Sequence, residues 1–185
     1  ETVVGALLVP QSGAEGAAGK VVLNPLLANV GGGDAPPADT MRVTAREGGG
    51  APELLVTPVR GLDYWQRTYY EPQLVKDDAP ILGCALPDGD CFMETGFRIT
   101  PEAQFDQAGL AVRVDSRHWI KAGIEFVDGA ARASVVVTNG GWSDWSTQPW
   151  PTTSMGIRVS RVGAGAFAVE MRAEDGAGAA GEWAF

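Results

Sequence analysis

Three neighbouring stretches, 108–115, 118–127 and 132–138, alternate between apolar and polar residues, and this alternation constrains the fold more than any other feature. Successive side chains of a β-strand point to opposite sides, so each stretch would have one apolar and one polar face. In 118–127 the apolar set is Ile120, Ala122, Ile124 and Phe126, and the opposite set is Trp119, Lys121, Gly123 and Glu125. No stretch of about 11 residues or more carries a helical period. The sequence therefore predicts an all-β chain of antiparallel strands.

Short strands separated by turns favour a two-sheet antiparallel sandwich, and a closed barrel fits the pattern almost as well. The length of 185 residues suits one domain. Residues 1–60 differ from the rest because glycine runs at 31–33 and 48–50 interrupt short apolar segments. We therefore predict that 1–60 is a glycine-rich segment of short strands in the same sandwich, and that 61–185 forms its core.

The charge balance of the chain excludes one class of partner. Lys and Arg number 14 against 23 Asp and Glu, which gives a net charge of −9 and a pI near 4.5. An acidic chain has the wrong sign to neutralise phosphates, so we do not expect nucleic acid as a partner. No apolar run approaches the roughly 18 residues of a membrane-spanning helix, so we predict a soluble chain without membrane insertion. Because the chain starts at Glu1 rather than Met, we expect a processed or partial chain. Its compartment stays open between an organelle lumen, secretion and the cytoplasm.

Several stretches resemble, in order and spacing, the family catalogued as domain of unknown function 1349. They are 63–70 (DYWQRTYY), 105–115 (FDQAGLAVRVD), 119–129 (WIKAGIEFVDG), 134–138 (SVVVT) and 143–146 (SDWS). Members of that family are similar in fold to the concanavalin A-like lectins and glucanases, so the resemblance implies a jelly roll of two curved antiparallel sheets. It covers about 62–172, and the stretch after Tyr70 departs from the family pattern. The chain stops at Phe185 where the family would add a further strand, so we expect a truncated chain. The family has no settled reaction.

The two cysteines, Cys84 and Cys91, flank Leu86-Pro87-Asp88-Gly89, which is typical of a turn between two antiparallel strands. Simple pairing would set the cysteines opposite each other, and a bulge at Gly89 would shift them apart. A disulfide between Cys84 and Cys91 and a pair of buried thiols are therefore both open. Two cysteines and one histidine without metal-ligand spacing predict no zinc site. Asp88 and Asp90 lack the further oxygen ligands of a calcium loop, so we predict no metal and no cofactor.

The sequence shows no recognisable catalytic constellation. Glucanases of the implied fold carry acids at alternating positions of one strand, whereas Glu125 and Asp128 are three residues apart. His118 has no nucleophile elbow to pair with, and we expect it to be a satisfied histidine at a strand end. We predict that the chain is not an enzyme, with a weak glycoside hydrolase using Glu125 as the third possibility.

Two regions are candidates for binding. The polar face of 118–127 offers Trp119, Lys121 and Glu125, and Arg113, Arg132, Ser134, Arg158, Ser160, Glu170 and Arg172 could join it from other strands. Such a face can hydrogen-bond sugar hydroxyls and pack a sugar ring on an indole, and cross-strand ion pairing of a solvated sheet is the alternative.

The second region is 140–150, a polar loop with three tryptophans. We expect Trp145 to be buried and to pin the loop, and we expect Trp142 and Trp150 to bind a ligand. The sequence thus predicts a non-catalytic module that binds carbohydrate. An accessory subunit that binds a protein partner in a larger assembly is the alternative.

Overall fold

The computed structural model describes residues 3–9, 17–20, 41–46, 53–58, 61–79, 81–86, 88–163, 165–174 and 181–184. The strands are β1 Val3–Val9, β2 Ala17–Lys20, β3 Met41–Arg46, β4 Glu53–Pro58, β5 Tyr64–Trp65, β6 Lys76–Asp77, β7 Ile81–Ala85, β8 Cys91–Ile99, β9 Gln107–Asp115, β10 His118–Val127, β11 Ala130–Asn139, β12 Trp142–Pro149, β13 Ser154–Val162 and β14 Ala166–Ala173. The described part of the chain contains strands and no helix, which confirms the all-β prediction. It accordingly offers no helix of the length and hydropathy needed to cross a membrane.

Two six-stranded antiparallel sheets pack face to face. The first sheet has the order β12-β11-β10-β9-β1-β7, and the second has the order β14-β13-β8-β2-β4-β3. Strands from the first 60 residues lie in both sheets, with β1 between β9 and β7. The arrangement is a sandwich rather than a closed barrel; the jelly-roll and concanavalin A-like assignments stay predictions.

The apolar faces of both sheets meet in one core. Ile124 and Leu110 of the first sheet pack with Phe97, Met155 and Ile157 of the second, and all five are buried. This burial accounts for the alternation of β10, because its apolar residues must face the core to leave water. Trp119, Lys121, Gly123 and Glu125 consequently lie on the opposite, outer face of the first sheet.

A local turn joins β10 to β11 as the sequence predicts. Asp128 and Gly129 both have positive φ, 52° and 77°, and Val127 pairs with Ala130. Two consecutive residues with positive φ match the right-handed twist of the flanking strands, and Asp-Gly is a favoured pair for this turn.

The hairpin predicted around residues 86–89 is wrong. The strand that carries Cys84, β7, pairs with β1 in the first sheet, whereas β8, which begins at Cys91, pairs with β13 and β2 in the second. The chain crosses between the two layers at this point instead of folding back within one sheet. Cys91 carries a free thiol, so no Cys84–Cys91 disulfide is formed; the side chain of Cys84 lies outside the described residues.

The segment 61–79 crosses the outer face of the first sheet. It contains the short strands β5 and β6, which pair with each other. Trp65 of β5 packs against Trp119 of β10 and Val136 of β11, and all three are buried. The polar side of β10 is therefore covered along part of its length by chain that lies far away in sequence.

Candidate ligand-binding site

The polar side of β10 is buried rather than solvated. Lys121 and Glu125 are each 3% exposed, and Trp119 is buried beside them. Sequence reasoning predicted the face correctly but not its burial, because the covering segment 61–79 is not local to the strand. Buried charged side chains need partners, and those partners define the site.

Lys121 is held by a carboxylate of the covering segment. Its Nζ donates a hydrogen bond of 2.7 Å to Oδ1 of Asp63, and both side chains are nearly inaccessible. The backbone N–H of Tyr64 donates to the same oxygen at 2.7 Å. The ammonium also lies 5.6 Å from the centroid of the Trp65 ring, within cation–π range. The lysine is fixed in position by these contacts.

Glu125 is held by side chains from two neighbouring strands. Its Oε2 accepts hydrogen bonds from Oγ of Ser134 at 2.6 Å and from Nε1 of Trp145 at 3.0 Å. Burial raises the pKa of the Glu125 carboxyl, and the Ser134 hydrogen bond, the charge of Lys121 and the Trp145 hydrogen bond oppose that rise. The result is an oriented acceptor inside a largely dry face.

Two glycines lie opposite each other between these charged residues. Gly123 pairs with Gly109 of β9, and a Cβ added at Gly109 would lie 1.9 Å from the carbonyl oxygen of Ala122. A Cβ at Gly123 would lie 2.0 Å from the carbonyl oxygen of Ala108. No side chain fits at either position, so the sheet surface has a gap there.

The gap is part of a small, half-open pocket. Its polar lining comes from Lys121 and Glu125 of β10, Gln107 of β9 and Ser134 of β11. We call these four side chains and the Gly109–Gly123 pair the glycine recess. Together they offer an ammonium, a carboxylate, an amide and a hydroxyl around a floor of bare backbone.

The same outer face carries hydrogen-bond donors without a partner among the described residues. The indole N–H groups of Trp65 and Trp119 are buried and have no hydrogen-bond partner within the described structure. Nε of Arg113 and Nε of Arg132 are unpartnered there as well. Buried polar groups of folded proteins are usually paired, so these four donors set the face apart from an ordinary core.

The structure brings five of the seven predicted site residues onto this face. Arg113 pairs with Trp119 across β9 and β10, and Arg132 pairs with Glu125 across β10 and β11. Arg113 is engaged with the covering segment, since its Nη2 lies 2.9 Å from Oδ2 of Asp77. The predicted grouping of Trp119, Lys121, Glu125, Arg113 and Arg132 is therefore seen in the structure, without testing what the group binds.

Four other residues expected on this face lie elsewhere. Arg158 and Ser160 of β13 and Glu170 and Arg172 of β14 belong to the second sheet. Arg158 lies 2.7 Å from Glu94 there, so these charges form ion pairs on the outer face of the second sheet. Alternation along a strand identifies its faces, but it does not say which sheet the strand joins.

The tryptophan-rich stretch is not a loop. Gly140 and Gly141 form a tight turn with φ of 60° and 83°, and residues 142–149 are strand β12, paired with β11. Trp145, expected to be buried, is partly buried and holds Glu125 as described above.

The two predicted binding tryptophans differ from each other. Trp142 is 54% exposed, with the guanidinium of Arg67 at 4.9 Å from its ring centroid. Trp150 is partly buried against the main core, and its Nε1 donates to the backbone oxygen of Ser154 at 3.1 Å. Trp142 thus presents an accessible ring, while Trp150 mainly packs.

The remaining polar candidates have local partners. Nδ1 of His118 lies 2.9 Å from Oδ1 of Asp115, which confirms the satisfied histidine at the start of β10. The backbone N–H of Arg117, and then His118, lower the pKa of the Asp115 carboxyl. Asp90 accepts a hydrogen bond from the N–H of Gly163. Across the described residues, no group of three or more His, Cys, Asp or Glu side chains is placed to hold a metal.

Sequence reasoning missed Asp63 and the paired glycines. Asp63 belongs to 63–70, which had been used only for the family resemblance and not for the site. Gly109 and Gly123 stand on the polar phases of their strands, but only the register of β9 against β10 brings them together.

Known proteins resemble this chain over much of its length. The family described as "Protein of unknown function (DUF1349)" matches residues 47–185. "Regulation of enolase protein 1" of Saccharomyces cerevisiae is 43% identical over 86 residues, which are 46% of this chain and 41% of that protein. The aligned part thus spans less than half of that relative.

A crystal structure described as that of a functionally unknown protein from Saccharomyces cerevisiae is similar in fold. Its TM-score is 0.52 at 25% sequence identity, covering 79% of each chain. Because the family match extends over well more than half of the residues, this chain belongs to the DUF1349 family.

Proposed function

We propose that the chain is a non-catalytic carbohydrate-binding module that places a sugar ring over the glycine recess. The observation that carries this proposal is the open gap at Gly109 and Gly123, with the buried and oriented side chains of Lys121 and Glu125 on either side. A ring can approach the backbone there because no Cβ stands in its way.

The polar groups of the recess match the chemistry of sugar hydroxyls. Each hydroxyl both donates and accepts, and the recess offers a carboxylate acceptor in Glu125, an ammonium donor in Lys121 and groups of both kinds in Ser134 and Gln107. Because Asp63, Ser134 and Trp145 already fix the charged groups, binding would order few side chains. Preorganisation of this kind improves affinity by lowering the entropic cost of binding.

Aromatic rings lie next to the Glu125 end of the recess. The rings of Trp145 and Phe105 are arranged edge to face with centroids 6.4 Å apart, and Phe105 is exposed. Apolar ring faces beside polar groups suit the mixed surface of a sugar, whose C–H groups pack on aromatic carbon.

We propose that Glu125 binds a ligand rather than cleaving it. Glycoside hydrolysis needs a second carboxyl across the scissile bond, at about 5 to 9.5 Å from the first. Asp63, the buried carboxylate that contacts the same face, accepts hydrogen bonds from Lys121 and Tyr64. The weak-hydrolase alternative predicts that Glu125→Gln abolishes cleavage of a hydrolysed glycan, and an unchanged rate would remove Glu125 as its acid.

The proposal is tested by titrating the protein with a panel of oligosaccharides while following tryptophan fluorescence. Trp145 should report binding, because its indole N–H bonds to Glu125. Ser134→Ala should weaken binding at least tenfold, because it removes the hydroxyl group that Ser134 contributes to the lining of the recess. Ser160→Ala, a matched change on β13 of the second sheet, should leave binding unchanged. Equal changes of sugar affinity in Ser134→Ala and Ser160→Ala would rule out the recess as a sugar site. The absence of saturable binding with every sugar of the panel would rule it out as well.

A specific surface feature favours the accessory-subunit function as a second candidate. Tyr69, Tyr70, Leu74 and Val75 are exposed within one short stretch, with Tyr69 86% exposed. Clustered exposed apolar side chains are typical of protein-binding sites, and the yeast relative is named as a regulator. Size separation of an extract of the source would show the chain either near 19.4 kDa or in a larger species. A larger species that dissociates on changing Tyr69 and Leu74 to Ser would support the subunit function.

A further inference from the structure

We propose that Arg67 and Arg117, together with the exposed ring of Trp142, form a binding site for a phosphate or sulfate group. This site lies at the turn between β11 and β12, near the Trp119 end of β10. It is separate from the glycine recess, which begins farther along β10, and it does not depend on sugar binding.

Backbone carbonyls of one turn hold both arginines. Nη2 of Arg117 donates to the carbonyl oxygen of Gly140 at 2.7 Å, and Nε of Arg67 donates to that of Gly141 at 3.4 Å. In return the N–H of Gly141 donates to the carbonyl of Arg117, and that of Ser143 donates to the carbonyl of Arg67. These contacts bring both guanidinium groups to the same turn.

The two guanidinium groups converge on Gly141. A Cβ added there would lie 3.2 Å from Nε of Arg117 and 3.4 Å from Nη2 of Arg67. The two nitrogens are therefore no farther apart than the sum of those distances. Two like charges at such a separation repel each other unless an anion lies between them.

No carboxylate among the described residues forms a salt bridge with this pair. Within the described structure, neither Arg67 nor Arg117 forms a salt bridge, whereas Arg113, Arg158 and Arg172 each do. The nearest acid in sequence, Asp115, accepts from His118 and from the backbone of Arg117. A local excess of positive charge in a chain of net charge −9 is unusual and marks this turn as attractive to an anion.

Tetrahedral oxyanions suit the arrangement. Guanidinium groups bind phosphate and sulfate oxygens through several N–H donors at once, and each arginine here spends one donor on a carbonyl and keeps others. Trp142 pairs with Arg67 through a parallel bridge, and its ring lies under that guanidinium. Its exposed surface can contact the organic part of a ligand that carries the anion.

Binding is tested with inorganic phosphate, sulfate and phenyl phosphate at constant ionic strength, followed by tryptophan fluorescence. We expect saturable binding that weakens at least tenfold in Arg67→Gln and in Arg117→Gln. Arg98→Gln, a change of an exposed arginine on β8, should bind as the unmodified chain does. Tighter binding of phenyl phosphate than of the inorganic ions would identify an esterified group as the ligand, and equal binding would identify the free ion.

A pair of glycine variants gives a second test that does not remove charge. Gly140 and Gly141 both have positive φ, so alanine strains the backbone at either position, but Gly140 has open space around its Cβ position. Gly141→Ala places a methyl group between the guanidinium groups and should abolish binding, while Gly140→Ala should retain it. Equal binding by the two glycine variants would overturn the proposal. So would a loss of affinity in Arg98→Gln as large as that in Arg67→Gln and Arg117→Gln, or the absence of saturable binding with all three anions.

Discussion

The outer faces of the two sheets carry similar residues but differ in whether side chains cover their glycine pairs. Each carries a pair of glycines opposite each other on neighbouring strands, Gly109 and Gly123 on the first sheet and Gly96 and Gly156 on the second. Each also carries charged side chains and tryptophan. The glycine recess lies at the pair of the first face, whereas side chains lie over the pair of the second face.

The second face fills its own glycine gap. A Cβ at Gly96 would lie 3.0 Å from Oε2 of Glu174, and one at Gly156 would lie 2.6 Å from Nε of Arg172. The ring of Trp183 then covers the charges, with the guanidinium groups of Arg158 and Arg172 at 4.4 and 4.3 Å from its centroid. Ion pairs and stacking thus cover this face, on which Nε of Arg172 is buried without a hydrogen-bond partner among the described residues.

The two faces differ in the chain segment that covers them, and this segment determines whether a polar sheet face can act as a binding site. Glu174, which follows β14, brings its side chain over the second glycine pair, and Trp183 stacks on the neighbouring arginines. The segment 61–79 instead places Asp63 on Lys121, and the small pocket between Lys121 and Glu125 remains. Composition alone does not separate the two cases, whereas the covering segments do.

The largest expected effect separates the two glycine pairs. Gly123→Ala would force a Cβ against a backbone carbonyl, so we expect it to cost at least about 4 kcal/mol of unfolding free energy, or to prevent folding. Gly96→Ala meets only the flexible end of Glu174 and should stay within about 1 kcal/mol of the unmodified chain. Urea unfolding of both variants measures the difference, and similar costs would show that the pairs are equivalent.

The next largest expected effect separates the buried ion pair of the first face from the partly exposed ion pairs of the second face. Lys121→Met leaves Asp63 buried without its cation, and removing one partner of a buried pair costs about 3 kcal/mol or more. Arg158→Met removes partly exposed, solvent-screened ion pairs with Glu94 and Glu170 and should cost less than Lys121→Met. The same unfolding measurement applies, and a cost for Lys121→Met no greater than that for Arg158→Met would contradict the burial of the first pair.

The sequence predicts the features that depend on local spacing. The two sides of β10 follow from its period of two, and the turn at Asp128 and Gly129 follows from two residues that tolerate positive φ. His118 at the start of β10 likewise contacts Asp115 at the end of β9, three residues earlier in the sequence.

Features that depend on distant chain are not predicted. Cys84 and Cys91 are seven positions apart but belong to different sheets, because long-range pairing with β1 and β13 determines where their strands lie. Asp63 reaches Lys121 from 58 positions away. The burial of the polar face, and with it the site, therefore has no signal in the pattern of β10 alone.

A smaller effect tests whether the second face is only structural. Trp183→Leu removes two cation–π contacts and should cost about 1 kcal/mol. Sugar binding should not change, because the glycine recess is on the other sheet. Loss of sugar affinity in this variant would place the site on the second face.

The smallest effect is a pH dependence from Glu125. Burial raises the pKa of its carboxyl above the ordinary value of 4.5, so the folded protein holds that proton to higher pH than the unfolded chain does. The protonated Glu125 carboxyl contributes its full stabilisation at pH values below its pKa in the unfolded chain. This stabilisation is lost as the pH rises through its pKa in the folded protein. Unmodified protein should therefore lose stability relative to Glu125→Gln as pH increases above about 4.5, as thermal unfolding across that window would show. An opposite trend would mean that hydrogen bonds to the carboxylate outweigh its burial.

NMR mapping of a bound sugar tests most directly whether the glycine recess is the binding site. Backbone amide and indole N–H signals would be followed while an oligosaccharide from the panel is added. We expect the largest shifts at the amides of Gly109 and Gly123 and at the indole N–H of Trp145. Shifts confined to β13 and β14 would contradict this expectation, as would a panel in which no sugar shifts any signal.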